Sequence, residues 1–330
     1  MTYADEPPYT TTGWHQMREY GEWRFAHAGG LLGWDGNYPA ATDLGEPLSR
    51  YRLTDPITDG EEVRQAWNLG LADLLAVDHV AVPLIGAAFR AAIGSNNTTV
   101  GLVGPPAVFK SSVAAIVMHH FGTEWSADTL INVSASTPAA INQRIAVARD
   151  VLVPLDDVRD DETLHTLVRR FAAGQGRVRM NSRGDLDALP TPAGLGLVTS
   201  ERRPVTASGL SRWLGVEIWA EDFSTDLIER LTRPESRAAR NRLMSTFIVW
   251  LSRRLTSPRH DWVHRTGEFL AELSRENIRL AARSAQELYG GWCLLLDFLE
   301  DWNAIGASEL VDDQVREVLV RTARDQETFV

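Results

Sequence analysis

From Glu61 the apolar positions recur three and four apart, first in EEVRQAWNLGLADLLAV and then in HVAVPLIGAAFRAAI, which predicts two amphipathic or buried helices. Beyond them the pattern changes. TTVGLV, TLINVSAS, DVLVPLDD, GLGLVTS and WLGVEIW read as strands, and SSVAAIVMHHF, PAAINQRIAVA and ETLHTLVRRFAAG as helices between them. Strands alternating with helical runs of this length predict a mostly parallel sheet covered by helices, an α/β class in which ligands bind at the carboxyl ends of the strands. Before residue 61, GEWRFAHAGGLLGWDG reads as short strands punctuated by turns. From about Thr225 the chain turns helical, in LIERLTRPESRAARNRLMSTFIVWLSRRL and then the long run DWVHRTGEFLAELSRENIRLAARSAQELYGGWCLLLDFLEDWNAI, and ends on an acidic amphipathic run. The expected organisation is a β-rich segment over 1–60, an α/β core with its preceding helices over 61–224, and an α-helical region over 225–330.

Composition adds limits. The 330 residues are 44% hydrophobic and 23% charged, ordinary for a globular protein, and exclude disordered and collagen-like classes. Cys293 alone cannot form an intramolecular disulfide or a cysteine-rich zinc site. The first residues lack a basic start followed by an apolar run, and no stretch is apolar enough to span a bilayer, so the expectation is a cytoplasmic protein away from membranes. A net charge of −11 argues against a surface that coats nucleic acid, though it leaves room for a locally basic channel.

Lys110 is the only lysine, and it lies in GLVGPPAVFKSS, residues 101–112. This segment matches G-x-x-x-x-G-K-[ST] at Gly104, Lys110 and Ser111, with Phe109 in place of the second glycine. In such a loop the backbone of Gly104, Pro105, Pro106, Ala107, Val108, Phe109, Lys110, Ser111 and Ser112 wraps the phosphates of ATP, and Ser111 holds Mg2+. Pro105 and Pro106 stiffen the turn and remove N–H donors. The plain alternative is a helix start with an incidental lysine.

About 45 residues on, DVLVPLDDV is an apolar strand interrupted by Pro154 and ending in two carboxylates. Asp156 suits the magnesium shell and Asp157 the polarisation of a water; equally, both could cap the next helix. At the end of GLGLVTS, Thr199 and Ser200 could orient the attacking water as a sensor does. Arg212, with Arg202 and Arg203 as competitors, could serve as an arginine finger for a neighbouring subunit. GQGRVRMNSRGD reads as a hairpin in the place where superfamily 3 helicases carry a basic finger. Arg177, Arg179 and Arg183 would meet DNA phosphates there, or simply face water. His119 and His120 are adjacent on one helix, so they cannot share a metal and read as structural. His27 lacks a nucleophile signature, and most tryptophans read as core.

The order of these segments resembles the domain of unknown function numbered 927, an ATPase group found in actinobacterial plasmids, phages and integrated elements. The landmarks are WRFAHAGG, LSRYRLTDP, VPLIGAAFRA, the loop, SAST, VLVPLDD, GQGRVRM and GGWCLLLDFLEDWNAI, from about Glu22 to about Ile305. The resemblance implies a P-loop NTPase of the AAA+ or superfamily 3 type. It would be an oligomeric motor, with ATP and Mg2+ as cofactors, acting on DNA as a ring beside replication proteins of the same element. It carries over Lys110 and Ser111 for phosphate and metal, Asp156 for metal, Asp157 as base, Thr199 or Ser200 as sensor and Arg212 as finger. Two other readings share the fold: a nucleotide-binding or non-catalytic scaffold, and a switch ATPase in phage defence or transposition.

Overall fold

The computed structural model describes residues 7–17, 21–94, 96–173, 178–180, 186–188, 192–255, 261–305 and 308–328. The first elements form an antiparallel meander of β1 (Gly13–Gln16), β2 (Trp23–His27), β3 (Gly30–Gly33) and β4 (Gly36–Tyr38). Gly30, at φ 131°, makes the β2–β3 turn so close to the Tyr38 carbonyl that no side chain fits. His27 ties this meander to the segment around Leu53. Its Nδ1 accepts from Leu53 N at 3.1 Å and Gly29 N at 3.2 Å, and its Nε2 lies 3.2 Å from Asn37 Oδ1. Burial lowers its pKa to about 4, so the ring is a neutral structural hub.

Next come α1 (Gly60–Leu75) and α2 (Asp78–Ala91). Asp59 starts α1 by accepting from Glu61 N and Glu62 N. The main sheet and its connections then come in chain order. They are β5 (Thr99–Val103), α3 (Lys110–Met118), β6 (Ile131–Asn132), α4 (Pro138–Val147), β7 (Leu152–Val158), α5 (Asp161–Ala173), the antiparallel hairpin β8 (Val178–Met180) and β9 (Leu186–Ala188), β10 (Leu195–Ser200), α6 (Ala207–Leu210) and β11 (Trp213–Glu217). The sheet order is β11-β5-β10-β7-β6 and every neighbouring pair is parallel, as the strand–helix alternation predicts. Gly101 and Gly196 are the close-approach points. The Trp213 ring lies over Gly101 and the Phe171 ring over Gly196, where a Cβ would collide with each. Pro154 is tolerated because β7 gains β6 as a second neighbour only from Leu155 onward.

The remainder is α7 (Thr225–Leu231), α8 (Pro234–Arg254), α9 (Asp261–Arg275), α10 (Ala282–Asp301) and α11 (Ser308–Glu327). α8 packs on α1 and α10 on α2, so helices before and after the sheet share one continuous apolar core. Gly86 and Gly291 let α2 and α10 touch backbone to backbone, and Trp292 Nε1 donates to Val82 O at 2.8 Å across that contact. Arg240 on α8 is fully buried, donating to Gly70 O at 2.6 Å and to Leu231 O. Its second amino group lies 3.3 Å from His119 Nδ1. His119 and His120 are buried beside it and both have strongly lowered pKa values, burial being the main cause, so they are neutral packing groups.

Two expectations of length changed. TLINVSAS, read as a strand, pairs only at Ile131 and Asn132, because Asn132 Oδ1 accepts from Ala135 N at 2.9 Å and turns the chain. The long run after Asp261 breaks between α9 and α10, where Asn277 takes the left-handed conformation at φ 58°.

Candidate functional site

The carboxyl ends of β5, β10 and β11 lie level, since Val103 is in register with both Ser200 and Glu217. The loop 104–109 leaves β5 at this edge and α3 starts at Lys110. Gly104 begins the loop against the Ile218 carbonyl, where a side chain would not fit. Pro105, Pro106 and Ala107 are exposed and Val108 is buried. Ala107 and Phe109 both adopt left-handed backbone, at φ 63° and 64°. A phenylalanine there is strained by about 1–2 kcal/mol, and the residue is half-buried and packs against the core. The position keeps the glycine conformation without the glycine.

These turns leave a row of donors. Among the described residues, none of the backbone N–H groups from Ala107 through Ser112 donates a hydrogen bond, and the next one, Val113 N, bonds Phe109 O at 2.8 Å. Successive free N–H groups at a helix N-terminus form an anion-binding concavity. Lys110 Nζ bridges the loop, donating to Gly104 O at 2.8 Å and to Pro105 O. Its pKa is lowered by partial burial, an effect opposed by the nearby charges of Glu201, Asp156 and Asp157.

Opposite Lys110, Ser111 Oγ donates to Asp156 Oδ1 at 2.7 Å and Thr199 Oγ1 donates to the same oxygen at 2.6 Å. A hydroxyl and a carboxylate in contact are hard oxygen donors of the kind Mg2+ takes, so Ser111 and Asp156 could hold that ion. Thr199 also accepts from Asp157 N at 3.0 Å. That arrangement depends on a bulge: between Val198 and Ser200 the β7 register slips, and Asp157 takes φ 61°. Asp157 is engaged separately, by Ser134 Oγ at 2.6 Å and by Arg159 at 2.7 Å. The hydrogen bond from Arg159 holds its carboxyl below the usual carboxylate range.

The structure brings Lys110, Ser111, Asp156, Asp157 and Thr199 together and leaves other candidates elsewhere. Ser200 is buried and spent on its own turn, donating to Val158 O at 2.8 Å and accepting from Arg202 N at 3.0 Å. Arg212 lies at the opposite edge of the sheet: its carbonyl accepts from Thr99 N, at the start of β5, and its guanidinium bonds Ser208. Arg203 pairs with Glu217 and Arg202 with Asp161, both toward the carboxyl edge. Arg179 lies on β8 opposite Asp187; Arg177 and Arg183 lie outside the described residues. Sequence reasoning missed Ser134, Arg159 and Glu201. The SAST segment and the residue after each strand end were the available signals.

Fold and site together define an α/β protein with a five-stranded parallel sheet, helices around it, and at its carboxyl edge a loop that leads into a helix. No family model and no curated protein matches the chain. Among solved structures it is similar to the SCCmec type IV Cch active helicase, at 14% identity and a TM-score of 0.64, over 97% of this chain and 61% of that one. The chain therefore has the fold of part of a helicase and spans 61% of that protein's length. It is also aligned with the A form apo structure of the NrS-1 C terminal region (11% identity, TM-score 0.33, 79% of this chain and 71% of that one). A third alignment is with the JCV helicase bound to a thiazolopyridine acetamide (12% identity, TM-score 0.30, 70% and 65%). At those TM-scores neither of the last two carries an argument.

Proposed function

We propose that the chain is a P-loop nucleoside triphosphatase of the AAA+ or superfamily 3 type, binding ATP with Mg2+ and doing ATP-driven work on DNA as a ring of subunits. The observation that carries this reading is the row of free N–H groups from Ala107 through Ser112, closed by Lys110 on one side and by the Ser111–Asp156–Thr199 contacts on the other. The N–H row and Lys110 would take the triphosphate, Ser111 and Asp156 the metal, and Thr199 would keep Asp156 oriented. Mg2+ would supply charge neutralisation across the outer phosphates. The DNA role rests on the Cch-like fold and on the antiparallel β8–β9 pair, 178–180 with 186–188, which carries Arg179. The motor role, a mobile-element context and membership of family 927 extend this reading.

Asp157 would polarise the attacking water only once Arg159 lets go of it, which makes assembly, with a neighbour's arginine entering, the natural trigger. Calorimetry with Mg-ATP on the wild type and Lys110→Ala, then turnover against protein concentration with and without single-stranded DNA, tests the proposal. Expected are binding weakened about a hundredfold in the variant and specific activity that climbs with concentration. No binding heat at millimolar nucleotide would overturn it.

The Asp157–Arg159 pair favours a second reading, a nucleotide-binding scaffold without turnover. It predicts nucleotide binding with flat, negligible activity at every concentration.

A further inference from the structure

The site has a direction. Its metal and outer-phosphate end is marked by Asp156 on β7 and Thr199 on β10, both on one side of β5, and by Ser111, which reaches Asp156 from α3. A triphosphate threaded along the loop therefore sends its sugar and base the other way, over the end of β11. There, Ile218 N bonds Val103 O at 2.8 Å, Ile218 O presses on Gly104, and the next residue is Trp219. That residue is 48% exposed.

Other large apolar side chains are exposed too, Trp34, Leu69, Val205 and Val263 among them. What distinguishes Trp219 is a locked backbone beside the loop. Its N–H donates to Asp222 Oδ2 at 2.7 Å, its carbonyl accepts from Asp222 N at 3.2 Å, and Asp222 Oδ2 in turn lies 3.2 Å from His79 Nε2 at the start of α2. The indole is thus carried on a fixed turn while a large part of its surface meets water.

We propose that Trp219 is the platform on which the base of the bound nucleoside triphosphate stacks. This rests on the phosphate-site reading above and adds the other end of the ligand. Every nucleobase has a π-face, so the platform gives affinity with little discrimination between bases.

The test is calorimetry on the full chain with Mg2+ and two probes, ATP and inorganic tripolyphosphate. Trp219→Ala should weaken ATP about tenfold and leave tripolyphosphate unchanged, with Trp219→Phe recovering most of the ATP affinity. GTP should behave as ATP does. A parallel loss for both probes would mean that the ring merely props the loop, and an unchanged ATP affinity would mean that it is idle; either sinks this inference alone. If the wild type binds neither probe, the phosphate-site reading falls and this one with it.

Discussion

Ser111 and Asp156, 45 residues apart in the chain, meet at 2.7 Å between Oγ and Oδ1. The contact joins the first turn of α3 to the end of β7, and Thr199 on the intervening strand β10 completes it at 2.6 Å. Lys110 is the adjacent cation. Replacing it by alanine should weaken Mg-ATP by about a hundredfold, the worth of a lost charge-assisted contact. Its own hydrogen bonds are to loop carbonyls, so the melting temperature should barely move. Calorimetry and a thermal melt on the same preparation separate the two effects.

The neighbouring hydroxyls should behave differently. Thr199→Val removes both the donor to Asp156 and the acceptor for Asp157 N, so magnesium-dependent turnover should fall at least tenfold and stability by about 1–3 kcal/mol. Thr199→Ser should restore the turnover. Ser200→Ala should cost about 1 kcal/mol of stability, leaving the magnesium dependence as it was. Steady-state rates across a magnesium titration, with urea melts beside them, decide the matter.

Phe109→Gly isolates the backbone of the loop. Glycine takes φ 64° without penalty, which recovers about 1–2 kcal/mol, while the ring's packing on the core is lost. Net stability should stay within about 1 kcal/mol, and ATP affinity should hold or rise. A fall of tenfold or more would show that the ring itself helps build the seat.

Far from the loop, Asp150 should give the protein an acid-side stability gradient. It is buried at the amino edge of the sheet, at φ 54°, and accepts from Trp14 N at 2.9 Å. Burial raises its pKa to about 6, against the partial opposition of the Trp14 hydrogen bond and the charges of Arg149 and Arg90. With the folded value above the unfolded one, the native state holds the proton more tightly. This group's contribution is therefore fully present below about pH 4 and is lost as pH rises to about 6, by an amount on the order of 3 kcal/mol. Asp150→Asn keeps the acceptor for Trp14 and should abolish that gradient, matching or exceeding the wild type in urea at pH 8.

Much of the fold was legible in the chain itself. The helices and strands appeared at their apolar periods, because packing a sheet between helices demands those periods. The loop's place was legible because a glycine, the lysine and a hydroxyl stand together between a strand and a helix, and the structure shows a loop there between β5 and α3. The conformation of Phe109 was hidden, since a backbone angle held by surrounding packing leaves no mark on residue type. The division of labour between Thr199 and Ser200 was hidden for a related reason. Which of two adjacent hydroxyls faces Asp156 depends on a one-residue slip between β7 and β10, and only the paired strands define it.

The amino-acid order alone determined the fold class, the position of the loop and the two carboxylates beyond it, since these depend on local periodicity and residue chemistry. Only the tertiary structure decided which side chains converge at the sheet edge, that Arg159 occupies Asp157, and that the Ile218 carbonyl, just before Trp219, meets Gly104 at the start of the loop. Those are relations between segments remote in sequence, and register, bulge and strand order set them.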